Sequence, residues 1–345
     1  MSSASSSRET VLGGTGLQVC RLGMGGIPIQ RLDQRRSDRV LESALAAGIN
    51  FFDTARIYTD SESKFGRVLP RHRQRVVVAS KTLSRQAGQV AMDIDTSLRH
   101  LRTDCIDLYQ CHNVATQADL EDIMAPRGAL EALQRAQTAG KIKHIGITGH
   151  KPWFIIQALQ AFDFATIQVP CNHIETGAVA ELIPLARRRR VGVIAMKPIG
   201  GGNIRQIGLN FRFIFNSGVD VAIPGMDSSR QVTENIAWLD KLAPLTAGDI
   251  RRLQKEKDRL GENFCRRCEY CMPCPQGLPI AFLHVLKNYY FLYDLKDWVR
   301  ERLQALPKTF QDCTACRTCV QKCPYHLDSP EIFKQTWQRI QADRG

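Results

Sequence analysis

Eight short, apolar, β-rich runs recur at a nearly regular interval along the chain. They are "VCRLGMGG" from Val19, "INFFDTA" from Ile49, "RVVVASKT" from Arg75, "CIDLYQCH" from Cys105, "HIGITGH" from His144, "ATIQVPCN" from Ala165, "VGVIAMKP" from Val191 and "VDVAIPGM" from Val219. They are almost continuously apolar instead of alternating, the pattern of parallel strands buried on both faces. Segments of helical period lie between them, such as "SDRVLESALAAG" from Ser37 and "RGALEALQRAQTAG" from Arg127, the latter closing on a glycine at the C-cap position. Eight strand-helix units within about 235 residues predict an α/β fold, a closed (β/α)8 TIM barrel. The alternative, an open doubly wound sheet, expects G-x-G-x-x-G after the first strand, and "GMGGIP" does not fit it.

The 345 residues exceed what the barrel uses, so a smaller second domain is expected. The polar "MSSASSS" at 1–7 reads as a disordered tail and 8–245 as the barrel. In "PLTAGDIRRLQKEKDRLG", Thr246 and Asp249 have capping-box spacing, which predicts a connecting helix over 246–261. Such a helix is roughly 22 Å long, comparable to a barrel's height, and would bring the chain back toward the C-terminal face. A cysteine-rich domain then fills 262–345. No apolar stretch approaches the roughly 18 residues of a spanning helix, so a cytoplasmic protein without a membrane partner is expected.

The formal charge of +13 and "ARRRRVG" at 186–192 raise the question of a nucleic-acid partner. The arginines end an amphipathic helix, where cations suit the C-terminal dipole. Eight thiolates holding iron would also remove much of the excess, about −2 per oxidised cluster with its ligands. The nucleic-acid reading is therefore disfavoured.

Asp53 in "FFDTA", Lys81 in "ASKT" and His112 in "YQCHN" stand at the ends of the second, third and fourth runs, and Tyr58 follows in the loop after Asp53. Neighbouring parallel strands bring such side chains together at a barrel mouth. Tyrosine is a weak acid, with a reference pKa of about 10, but a nearby ammonium favours its phenolate. Asp53 can hold Lys81 charged, His112 can orient a carbonyl oxygen, and Tyr58 can supply the proton. Taken singly, each has a structural reading: a helix N-cap for Asp53, rim residues for Lys81 and His112, a surface aromatic for Tyr58.

With these residues in place, the chain resembles the aldo/keto reductases over about Arg8 to Leu260. The resemblance is carried by "GINFFDTARIYTDSESKFG", "VVVASKT", "IDLYQCHN", "IKHIGITGH", "IQVPCN", "IAMKPIGGG" and "VAIPGMDSSRQVTEN". It implies that Asp53, Tyr58, Lys81 and His112 form a catalytic tetrad. The implied reaction is hydride transfer between NAD(P)H and a small-molecule carbonyl or alcohol substrate. The resemblance further implies that Gln168, with Thr148 nearby, meets the nicotinamide carboxamide, and that Ser228, Arg230, Glu234 and Asn235 hold the adenine end. Met196 stands where many members place an aromatic ring against the nicotinamide, and Lys197 where a serine is common. Gly225 replaces a frequent lysine and Gln231 an arginine, which leaves NADP versus NAD open.

Of twelve cysteines, Cys20, Cys105, Cys111 and Cys171 are scattered in or beside apolar strands and read as small hydrophobes. The other eight form "CRRCEYCMPCP", with Cys265, Cys268, Cys271 and Cys274, and "CTACRTCVQKCP", with Cys313, Cys316, Cys319 and Cys323. Three cysteines at C-x2-C-x2-C followed by Cys-Pro favour 4Fe-4S clusters over zinc, whose sites show paired knuckles. The second run matches the bacterial ferredoxin spacing, and the region is similar to an α-helical ferredoxin domain with two 4Fe-4S clusters. By that analogy Cys265, Cys268, Cys271 and Cys323 hold one cluster, and Cys313, Cys316, Cys319 and Cys274 the other. The expectation is an NAD(P)H-dependent reductase with a fused cluster module, with a redox partner protein implied if the clusters carry electrons. The competing expectation is an iron-sulfur electron-transfer or redox-sensing protein whose barrel binds nucleotide without carbonyl turnover.

Overall fold

The computed structural model describes residues 8–261, 265, 271–323 and 325–343. Cys268 and the expected tail at 1–7 lie outside the described residues. The chain divides into two compact units, one of 1–200 with 204–249, the other of 201–203 with 250–345.

The first unit is an eight-stranded parallel barrel. Its strands are β1 (Met24–Gly25), β2 (Phe51–Asp53), β3 (Val77–Thr82), β4 (Ile106–Cys111), β5 (Ile142–Thr148), β6 (Thr166–Pro170), β7 (Gly192–Met196) and β8 (Val221–Ile223), each paired with its sequence neighbour. Parallel bridges Leu22 to Ala222 and Gly25 to Gly225 join the first strand to the last and close the sheet. One feature differs from expectation. The first apolar run splits, its "VC" belonging to a strand Gln18–Cys20 that pairs antiparallel with Glu9–Val11 before the chain enters β1. This hairpin sends Leu12 and Val19 into the barrel interior beside Phe51, Val77, Ala79, Leu108, Ile194, Val221 and Ile223. The larger core lies between strands and helices, where Phe52, Val78, Tyr109, Ile167 and Val193 meet the helical layer.

That division fixes which way each side chain points. Strands alternate faces with period two, so with Val77 and Ala79 inside, Lys81 is inside and Ser80 faces the helices. Phe51 inside likewise places Asp53 inside, and Leu108 places Gln110 there.

Three helices matter for the site: α1 (Gln34–Ala46), α2 (Ser61–Val68) and α3 (Ala87–Leu101). Helix α2 approaches α3 closely at Gly66, where an added Cβ would lie 2.0 Å from the carbonyl oxygen of His100. Only glycine fits there.

The basic run is exposed, and some of its groups have local partners. Arg187 pairs with Asp220 at 2.7 Å, Arg189 donates to the carbonyl of Leu159, and the carbonyl of Arg190 accepts from Gly14. Thr246 and Asp249 form their reciprocal cap, at 3.0 and 3.2 Å, ahead of the helix Ala247–Gly261.

The second unit is helical, with helices Ile280–Phe291, Lys296–Ala305, Thr318–Lys322 and Ser329–Ala342. Leu283, Leu286, Tyr290, Val299, Phe310, Phe333 and Ile340 form its core, with Cys271, Cys274 and Cys313 packed against it and Cys319 within it. Among the described residues no helix is long and apolar enough to cross a membrane.

Candidate active site and candidate cluster site

Asp53 ends β2, Lys81 is the penultimate residue of β3, and His112 follows β4 directly, so the three stand near the C-terminal ends of adjacent strands. Lys81 is fully buried; its Nζ donates to Asp53 Oδ2 at 2.7 Å and to the Thr54 carbonyl at 2.6 Å. The same ammonium lies 5.1 Å from the centre of the Tyr58 ring, and the Tyr58 and His112 rings meet edge to face at 5.9 Å. The structure therefore brings together all four side chains singled out at the strand ends.

Burial pushes the Asp53 carboxyl up and the Lys81 ammonium down, and each shift is opposed by the other's charge. Burial, then Lys81, then Arg85 hold His112 well below the usual histidine range, so its imidazole is neutral. Its buried Nδ1 has no hydrogen-bond partner among the described residues.

Two residues belong to this site although their types drew no attention in the sequence. Gln110 sits opposite Lys81 in the register, and its Nε2 donates to Gln168 Oε1 at 3.0 Å. Arg85 donates to the His112 carbonyl at 2.8 Å and pairs with Asp119 at 3.2 Å. The signal for Gln110 was the strand period itself, two residues on from inward-facing Leu108. Arg85 gave none, because a loop arginine carries no periodicity.

The expected nucleotide residues divide. Thr148 ends β5 and Gln168 sits opposite it in the middle of β6; both are buried, Thr148 Oγ1 accepting from the Asn113 amide at 2.8 Å. Met196 ends β7 on the inward face that Ile194 defines, and Lys197 follows with φ +53°. Ser228 Oγ caps the helix Ser229–Ile236 by accepting from the Gln231 amide, and Gln231 Oε1 accepts from the Asp227 amide at 2.8 Å. Arg230 and Glu234 are exposed and pair with each other at 3.4 Å, while Asn235 is buried. The guanidinium beside this loop is Arg31, in an ion pair with Asp227.

In the second unit one cavity is lined by Cys274, Cys313, Cys316 and Cys319, with Ile280 and Phe333 among its apolar walls. Burial pushes the Cys319 thiol up, and Cys313, Cys316 and Cys274 add to it, so the four sulfurs share one electrostatic neighbourhood. Cys316 is exposed, and the Thr318 backbone N–H, followed by its hydroxyl, holds its thiol below the usual range. Cys265, Cys271 and Cys323 are partly exposed, and none of them is in a disulfide among the described residues. Lys287 lies near Cys265; burial lowers its pKa, and Cys265 opposes the shift. Among the described residues no three His, Cys, Asp or Glu side chains form a site for a single metal ion. Elsewhere, burial pushes the Cys111 and Cys171 thiols up to about 12, as expected of cysteines that serve as packing.

Known proteins are similar to parts of this chain. The uncharacterized oxidoreductase YrpG of Bacillus subtilis is 29% identical over 223 residues, covering 56% of this chain and 67% of its own. The holo form of aldo-keto reductase AKR11C1 from Bacillus halodurans superposes with a TM-score of 0.65 at 24% identity, over 72% of this chain and 96% of its own. An aldo/keto reductase from Klebsiella pneumoniae, solved in complex with NADP and acetate, gives a TM-score of 0.61 at 23% identity over 72% and 95%. Residues 264–328 match the model of a 4Fe-4S dicluster domain. Residues 21–212, more than half the chain and the whole span that carries the four strand-end residues, match the aldo/keto reductase model, and the chain belongs to the aldo/keto reductase family.

Proposed function

We propose that the chain is an NAD(P)H-dependent oxidoreductase that reduces a small-molecule carbonyl, or oxidises the corresponding alcohol, and that it carries two 4Fe-4S clusters. The observation that carries the first half is the buried Asp53–Lys81 pair beneath Tyr58, with neutral His112 against the same ring. The nicotinamide, when bound, supplies the hydride. Tyr58 donates the proton to the carbonyl oxygen, and Lys81 stabilises the phenolate that this leaves. Asp53 keeps Lys81 in place, and neutral His112 donates a hydrogen bond to the same oxygen, orienting it and stabilising its developing charge.

The nucleotide fit rests on buried amides and a hydroxyl, Gln110, Gln168 and Thr148, at the base of the mouth. Buried polar groups of this kind hold orientation in ligand sites. A relative in the same fold class was solved with NADP. At the adenine end Ser228 and Gln231 are engaged in the helix cap and Arg230 with Glu234, so either NADH or NADPH is accommodated by our reading.

The cluster half rests on four thiols around one space, a donor set that suits a cubane held by four thiolates. Cys274 lines that space beside Cys313, Cys316 and Cys319, which favours crossed ligation, with Cys265, Cys268, Cys271 and Cys323 as the other set. The exposure of Cys316 favours electron exchange with a redox partner protein.

The deciding experiment is Tyr58→Phe in anaerobically purified protein. Carbonyl-dependent oxidation of NADPH or NADH should fall about 10²- to 10⁴-fold, with nucleotide affinity unchanged. If the unaltered protein shows no such oxidation across a broad aldehyde and ketone panel, the reading fails. Adding NADPH and watching the iron-sulfur absorption separates electron-carrying clusters, which bleach, from structural ones, which do not.

A further inference from the structure

We infer that Glu62 is a positioning residue for the proton-transfer site, its carboxylate clasping the loop that carries Tyr58 to the strand that carries Lys81. The inference rests on the reductase reading above. Glu62 is the second residue of α2 and only 1% exposed. Its Oε1 accepts from Ser80 Oγ at 2.6 Å and from Ser97 Oγ at 2.7 Å, and its Oε2 faces the Arg56 guanidinium, with His100 Nδ1 at 3.5 Å.

The chain positions of these partners give the arrangement its meaning. Arg56 stands two residues before Tyr58 and Glu62 four residues after it, so their ion pair closes the segment 56–62 on itself. The Arg56 amide donates to the Lys81 carbonyl at 3.0 Å, which ties the start of the loop to β3. Ser80, directly before Lys81, ties its end to the same strand through Glu62. Inside the clasp Tyr58 N–H donates to Ala55 at 3.0 Å and Ser61 N–H to Tyr58 at 2.8 Å, around Thr59 at φ +23°. On the α3 side Arg56 Nε lies 3.8 Å from Asp93, which also accepts from Ser84 Oγ at 2.7 Å, and Ser97 Oγ lies 3.1 Å from Tyr109 Oη.

Ser80 and Tyr109 lie on the helix-facing side of their strands, so Glu62 hydrogen-bonds no group inside the barrel, although its charge also favours the Lys81 ammonium. It acts by holding Tyr58 over Lys81, where a displacement of about 1 Å costs on the order of a hundredfold in rate. A carboxylate that served only to glue α2 to α3 would have no reason to engage Arg56 and Ser80, which lie on the two chain segments that bear Tyr58 and Lys81.

The test uses the full chain with its iron in place, as Glu62→Gln, Arg56→Met and the two combined. Each single change should lower kcat about 10- to 100-fold, with the KM and Kd for nucleotide within twofold of the unaltered protein. The double change should be no worse than the worse single one, as for two partners in one interaction. Backbone amide exchange supplies a readout independent of turnover: Tyr58 and Ser61 should exchange at least tenfold faster in Glu62→Gln, while Val77 and Val78 keep their protection. Unchanged exchange at Tyr58 and Ser61, or an equal rise at Val77 and Val78, overturns the inference, as do additive losses in the double variant. If Glu62→Gln does not fold, Ser80→Ala removes a single bond of the clasp and should move the same amides by a smaller factor. Absence of carbonyl turnover in the unaltered protein would refute the reductase reading alone, because the exchange comparison still decides the clasp.

Discussion

The proton-transfer site and the thiol cavity are built on opposite plans. At the barrel mouth the functional groups bond to one another: Lys81 to Asp53, Gln110 to Gln168, Arg85 to the His112 carbonyl. In the second unit Cys274, Cys313 and Cys316, outside the helices, and Cys319, in the short helix Thr318–Lys322, surround space. The first site is organised by its own hydrogen bonds, whereas the second needs a bound group to bring its ligands together. Loss of a side chain should therefore act differently in the two.

The largest contrast is expected from Lys81→Met. It removes the ammonium beneath Tyr58 and leaves Asp53 buried without its ion-pair partner, a change that typically costs about 3–5 kcal/mol. Carbonyl reduction should fall on the order of 10³-fold and the barrel's melting temperature should drop, while iron content and the iron-sulfur spectrum stay as in the unaltered protein. Loss of iron on this change would break the contrast, since it would tie the cluster sites to the barrel's ion pair.

Cys274→Ser is the converse. By the crossed reading it removes one ligand from the set of Cys313, Cys316 and Cys319, so bound iron should fall by about half, the loss matching that of Cys313→Ser. The pair Cys274→Ser and Cys313→Ser should then lose no more iron than either alone. If instead the double variant loses nearly all iron, Cys274 serves the set of Cys265 and Cys271, and the crossed assignment is wrong.

The two regions also differed in how much the sequence disclosed. Asp53, Lys81 and His112 were legible because they interrupt apolar runs at their C-terminal ends, and such interruptions are costly unless the groups are paired or used. The cysteines were legible from spacing alone. The hairpin that reaches into the barrel's interior was not, because "VCRLGMGG" is one apolar run and only the closing geometry divides it between a hairpin and β1. Glu62 stayed hidden for another reason. In a string of polar residues, "TDSESK", nothing in composition distinguishes the one carboxylate that is buried from those that are solvated; what singles it out is Gly66, one turn on, which lets α2 sink onto α3. Arg230 and Glu234, expected at the adenine end, pair with each other at the surface.

The smallest expected effect sharpens the comparison from the side of proton binding. His284 is 4% exposed in the second unit's core, its Nε2 2.9 Å from Ser329 Oγ and its ring 4.9 Å from that of Phe333. Burial is the first cause of its shift and Lys287 the second; together they push its pKa down to about 3. In an unfolded chain the same histidine titrates near its ordinary value of about 6.5. Between these two values the unfolded chain binds a proton that the folded one refuses. His284 therefore adds its full share of stability above about pH 6.5 and loses it on acidification, by about 1.4 kcal/mol for each pH unit, until the folded value is reached. The measurement is the denaturation midpoint of the iron-loaded protein at pH 7.5, 6.5, 5.5 and 4.5, followed through the iron-sulfur absorption. His284→Gln, which can keep a bond to Ser329, should flatten the decline by about one proton's worth while leaving the barrel's own transition, followed by circular dichroism, unchanged. An equal decline in the variant would mean that acid acts on the second unit through its cysteines, and the buried histidine would then have no part in its sensitivity.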